Sequence, residues 1–140
     1  MINRKIERTA RVAFFSVIHE IYFEQFEGLE ESFNRYHKDT IDLISSNNVE
    51  VVDFGIVGSN SISYQIAEDI NKANVDLIFC NMITYATSSV FAPIVMNTKA
   101  PIIMLALQPR MAMDYTKAST FMQLENDNTG TAGSYDSAVF

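Results

Sequence analysis

Residues 11–18, Arg-Val-Ala-Phe-Phe-Ser-Val-Ile, are apolar at nearly every position and rich in β-branched and aromatic side chains. Successive side chains of a strand point to opposite faces, so an unbroken apolar run predicts a strand covered on both sides. The pattern then changes period. From Phe26 the positions Leu29, Phe33, Tyr36, Thr40 and Ile44 recur at spacings of three and four, while Glu27, Glu30, Glu31, Arg35 and Lys38 fall on the other side. This predicts a helix with one face laid on a sheet. Ser-Ser-Asn-Asn at 45–48 ends it.

Residues 49–57 form a second apolar strand, with Gly55 and Gly58 expected to open a turn. Ser59, Asn60 and Ser61 are candidate N-caps for a helix lined by Ile62, Ile66, Ile70 and Ala73. A third strand is expected over 75–80, then a polar loop over 81–87, and a short helix over 88–97 with Pro93 near its first turn. Residues 101–107 supply a fourth strand. Strands alternating with helices imply βαβ units with right-handed crossovers. The expected fold is α/β: a flavodoxin-like three-layer domain with a parallel sheet in strand order 2-1-3-4. Beyond Arg110 the periodicity decays, and 125–136 is rich in Asn, Asp, Thr, Gly and Ser. The organisation expected is an N-terminal extension over 1–10, the α/β domain over 11–124, and a loop or linker over 125–140 cut from a longer chain.

Composition narrows the classes of partner. The 140 residues suit one domain, 48% hydrophobic and 19% charged, a balance that can support a packed core. With a formal net charge of −7 and basic residues grouped only at Arg4, Lys5, Arg8 and Arg11, the chain lacks the basic face that nucleic acid requires. No apolar stretch approaches the roughly 20 residues of a membrane helix. The basic start and the run at 12–18 superficially copy a signal peptide, but His19 and Glu20 follow without a small-residue cleavage site. Cys80 is the only cysteine, so no internal disulfide forms; a cytoplasmic location is the expectation.

In a parallel sheet of this order, ligands bind where the loops leave the C-terminal strand ends, at the switch point between the first and third strands. Those loops contribute Ser16, His19, Glu20 and Tyr22; Ser59, Asn60 and Ser61; Asn81, Thr84, Tyr85 and Thr87; and Gln108 with Arg110. Hydroxyls and amides with few charges suit a neutral polyol better than a phosphate or carboxylate. His19 reads either as a ligand or acid/base group or as an ordinary loop residue. His37 sits among charged residues in a helix and reads as solvated. Glu20 and Glu24 can pair as carboxylates or complement a helix dipole. Gly-Ile-Val-Gly-Ser at 55–59 is not a dinucleotide fingerprint and reads as turn chemistry. Cys80 reads as a structural thiol. The acidic positions of a response regulator and the phosphate loop of a flavodoxin are missing, as are Cys-x-x-Cys and His-Glu-x-x-His spacings.

Several segments together resemble the N-terminal domain of L-arabinose isomerases and their L-fucose isomerase-like relatives. His-Glu-Ile-Tyr at 19–22 resembles the family's Gln-His-Leu-Tyr loop, and Asp-Leu-Ile-Phe-Cys-Asn-Met-Ile-Thr-Tyr at 76–85 resembles the stretch leading to its Thr-Phe-Ser loop. Lys-Ala-Pro-Ile-Ile-Met-Leu-Ala-Leu-Gln at 99–108 resembles Lys-Pro-Leu-Leu-x-x-x-Thr-Gln, and Phe-Met-Gln-Leu-Glu-Asn at 121–126 resembles Phe-Met-Asn-Leu-Asn-Gln. The order of these segments along 11–130 carries the likeness. Two departures stand out: His19 and Glu20 replace Gln and His, and Asn-Thr-Gly at 128–130 replaces Ala-His-Gly. The resemblance implies a cytoplasmic, homo-oligomeric aldose–ketose isomerase. Its divalent metal, usually manganese, is held by Glu and His of other domains of the same protein, so this chain alone holds no metal and is inactive. It further implies that His19, Ile21, Tyr22, Tyr85 and Gln108 line the sugar pocket, with no catalytic residue among them. The alternatives are a non-catalytic sugar-binding α/β module, to which Asn-Val-Asp-Leu-Ile-Phe at 74–79 has a likeness, and an assembly domain with an empty crevice.

Overall fold

The computed structural model describes residues 9–107. The elements follow in the order β1 (Arg11–Val17), α1 (Ile21–Gln25), α2 (Leu29–Ser45), β2 (Glu50–Val57), α3 (Ser63–Ala73), β3 (Leu77–Met82), α4 (Ser88–Asn97) and β4 (Ile102–Leu105). The four strands form one parallel sheet in the order β2-β1-β3-β4, as the alternation of patterns predicts.

β1 is central because both of its faces are apolar. Ala13, Phe15 and Val17 join Ile78, Cys80 and Met82 in a core closed by Ile70 of α3 and by Val90, Phe91 and Ile94 of α4. On the opposite face Ile18 and Ile83 pack with Leu29 and Phe33 of α2. Phe14, Phe15 and Phe33 are wholly buried, and each such side chain contributes about 1.5–3 kcal/mol relative to exposure. The helices thus cover both sheet faces, α2 on one and the α3–α4 pair on the other.

Several details differ from the sequence reading. The first helical region is two helices: Gly28, at φ +82°, breaks the chain between α1 and α2. Gly55 opens no turn; it sits inside β2 at φ +79°, where the pairing with β1 slips between Phe14–Asp53 and Ser16–Ile56. The left-handed residue absorbs the irregularity, a task glycine performs without Cβ strain. β3 runs two residues past the expected end, which puts Asn81 and Met82 in the sheet rather than in a loop. None of Ser59, Asn60 and Ser61 caps α3: the capping position is Ile62, with no side-chain cap. Ile62 is exposed, and Ala67 and Ile70 make the buried face with Ser63. Pro93 lies in the middle of α4. His37 is buried at 7% exposure rather than solvated, because its ring packs over Phe14 beneath α2. Arg110 and the segments 111–124 and 125–140 fall outside the described residues.

Candidate functional site at the strand ends

Three loops meet at the C-terminal edge of the sheet. Ile18 continues β1 by donating its backbone N–H to Val57 O at 3.1 Å, and Ile83 continues β3 by donating to Val17 O at 3.1 Å. The loops therefore leave the sheet in register and side by side. The β2–α3 loop closes from the other side through Gly58. A Cβ at that position would lie 2.8 Å from Glu20 Cβ and 3.3 Å from Ile18 Cγ1, so glycine is what allows the two loops to touch.

Between these loops lies a cavity of about 200 Å³, with His19, Glu20, Ser59, Asn60, Thr87 and Ser89 in its wall. Three of the lining residues carry hydroxyls: Thr87 Oγ1 meets Ser89 Oγ at 2.8 Å, and Ser59 Oγ meets Ser61 Oγ, which lies outside the wall, at 3.0 Å. Among the described residues the lining carries one carboxylate, one imidazole and no lysine or arginine. A phosphate or carboxylate placed there lacks a counter-charge, whereas a polyol finds both donors and acceptors.

The structure brings three of the sequence-nominated residues together. The His19 ring packs against Tyr22 at 5.5 Å between centroids and against Tyr85 at 6.1 Å with the planes 28° apart. Thr84, wholly buried, accepts the His19 backbone N–H on Oγ1 at 2.9 Å and donates to Tyr85 O at 2.8 Å. Of the three rings only His19 is in the wall of the 200 Å³ cavity, and Ile21, 45% exposed on α1, joins neither the ring group nor that wall. Gln108 lies outside the described residues.

Ser16 and Asn81, also nominated, lie below the crevice in a polar chain, missed in the sequence reading, that is buried from Asn81 to His37 and ends on the exposed Asp53. Asn81 Nδ2 donates to Ser16 Oγ at 3.3 Å, Ser16 Oγ meets His37 Nδ1 at 2.7 Å, and His37 Nε2 meets Asp53 Oδ1 at 2.8 Å. With Asn81 donating, Ser16 has its hydrogen free for Nδ1, and Nε2–H then donates to the carboxylate. Asp53 also accepts the Gly55 N–H at 2.7 Å, which pins the slip in β2. Ser, His and Asp are the types of a nucleophilic triad, yet Ser16 is wholly buried within the central strand. No substrate carbonyl reaches it, so the trio acts as a tie between β1, α2 and β2. A signal existed in the sequence: a serine inside an otherwise apolar strand needs a buried partner.

A larger cavity of about 490 Å³ flanks this tie, between α2 and β2, with Glu30, Asn34, His37 and Asp53 in its wall. Among the described residues no group of three or more His, Cys, Asp or Glu is placed to hold a metal ion, so the side chains described do not fit a divalent metal. No helix among them is long and apolar enough to cross a membrane. Cys80 is buried in the core, and desolvation pushes its thiol well above the ordinary range, as suits a structural residue. No protein-family model matches the chain, and no curated protein matches it in sequence.

Proposed function

We propose that the strand-end crevice binds a neutral sugar, and that the chain serves as the substrate-lining wall of an aldose–ketose isomerase of the L-arabinose or L-fucose type. The observation that carries the reading is the meeting of His19 with Tyr22 and Tyr85 next to a cavity whose wall His19 shares with Ser59, Asn60, Thr87 and Ser89, and which has no lysine or arginine among the described residues. Aromatic faces pack against the C–H faces of a sugar ring while hydroxyls and amides exchange hydrogen bonds with its OH groups. In this reading the residues bind and orient; Ser16 and His37 hold the strands beneath the pocket and transfer no proton to substrate. The divalent metal of the reaction, manganese by the family likeness, takes its ligands from other domains, and the partners are those domains and further subunits.

A non-catalytic sugar-binding module is the second reading, supported by the likeness of Asn-Val-Asp-Leu-Ile-Phe at 74–79. One experiment addresses both. L-Arabinose and L-fucose are titrated into the 140-residue chain while the His19, Tyr22 and Tyr85 signals are followed by NMR, with ribose 5-phosphate as the charged comparison. The expected outcome is that neutral sugars move these signals and that His19→Ala and Tyr85→Ala each weaken binding about tenfold. Binding of the phosphorylated sugar alone sinks both readings. Turnover of either aldose by this chain with manganese sinks the assignment of the metal chemistry to other domains.

A further inference from the structure

We infer that Thr84 is a positioning residue of the crevice, its hydroxyl joining the β1–α1 and β3–α4 loops so that His19 is held in its stack on Tyr85. The functional consequence rests on the sugar-site reading; the joint itself stands on geometry. The β1–β3 pairing ends at Val17–Met82, and one more backbone bond, Ile83 N–H to Val17 O, carries it past the strand ends. The next donor is His19 N–H. It meets the Thr84 side-chain oxygen at 2.9 Å, which takes the place of a carbonyl where the ladder gives out. The same hydroxyl donates to Tyr85 O at 2.8 Å, so one group fixes the backbone of both stacked residues.

Thr84 is wholly buried while His19 and Tyr85 are half-buried, so water reaches the hydroxyl less readily than it reaches the two rings. Its branched Cβ restricts χ1, which keeps the oxygen aimed between the loops. Valine has nearly the same shape but neither accepts nor donates, leaving the His19 N–H and the Tyr85 C=O without these bonds. Serine retains the hydroxyl and gives up only the methyl.

The test uses the full 140-residue chain and three readouts: hydrogen exchange of the His19 amide in the wild type, the imidazole proton shifts of His19, and affinity for L-arabinose. The His19 amide is expected to exchange as slowly as that of Ile83. Thr84→Val is expected to move the His19 ring signals as the Tyr85 ring current is lost, and to weaken L-arabinose binding by about tenfold, the equivalent of one hydrogen bond. Thr84→Ser is expected to restore both. A folded Thr84→Val with unchanged His19 signals overturns the inference, as does a Thr84→Ser variant as impaired as the valine one. If the valine variant does not fold, the wild-type exchange rate and the serine variant decide: a His19 amide that exchanges at a free-loop rate overturns the proposal. Should L-arabinose leave the wild type unmoved, the sugar-site reading fails on its own, while exchange and ring shifts still decide the joint.

Discussion

Both ring nitrogens of His37 are engaged, one by Ser16 and one by Asp53, and the ring itself lies against Phe14. Removing it takes away packing and two hydrogen bonds at once: the wholly buried Ser16 loses a partner that water does not replace, while the exposed Asp53 turns to solvent. His37→Ala is therefore expected to cost about 2–4 kcal/mol in urea unfolding, the sum of a cavity and a stranded Ser16 hydroxyl. His37→Gln, which can keep one bond, is expected to lose less. A cost below about 0.5 kcal/mol, the range of ordinary surface substitutions, would show that the chain from Asn81 to Asp53 contributes little. The same residue marks a limit of linear reading. Arg35, Lys38 and Asp39 surround His37 in sequence, but a helix turns about 100° per residue, and Phe33, His37 and Thr40 fall on the buried stripe together.

At the scale of elements, the two described glycines of the β2 region act for different reasons. Gly55 has open space around a would-be Cβ and a φ of +79°, so Gly55→Ala is expected to cost about 1–2 kcal/mol through backbone strain alone. At Gly58 contact decides. Its Cβ would meet Glu20 Cβ at 2.8 Å and Glu20 Cα at 3.4 Å, atoms near the backbone that cannot swing aside. Gly58→Ala is expected to cost about 1–3 kcal/mol and to displace the His19–Glu20 loop. Backbone amide shifts report the difference: changes confined to β2 for Gly55→Ala, and changes reaching His19 for Gly58→Ala. Equal shift patterns would contradict the separation. Element types were legible because strand and helix periods are distinct at 11–18, 29–44 and 62–73. The slip in β2 was not, since Gly55 and Gly58 look alike as turn signals and only the pairing with β1 separates them.

For the molecule as a whole, the buried thiol of Cys80 links stability to pH. Burial raises its pKa above the unfolded value, so the native state keeps the proton longer than the unfolded chain. The sign follows. The contribution is fully present below the unfolded thiol range and is lost as pH rises toward the folded value. Between those limits the wild type is expected to lose about 1.4 kcal/mol per pH unit relative to Cys80→Ala, measured by urea unfolding from pH 8 upward. Parallel pH profiles for the two proteins would contradict the burial of Cys80.

By itself the sequence determined the α/β class, the parallel order β2-β1-β3-β4, and the edge of the sheet where the loops converge. Apolar runs covered on both faces and alternating periods allow few other arrangements. It also supplied His19, Tyr22, Tyr85 and Thr84 as neighbours of that edge. Tertiary structure decided which of them meet. Ring stacking and the Thr84 joint depend on distances between loops that are remote in sequence, and those distances follow from sheet register and from the close approach at Gly58. The burial of Ser16, His37 and Asn81 was decided in the same way, because a polar residue reads as exposed until the partner that satisfies it has been brought alongside.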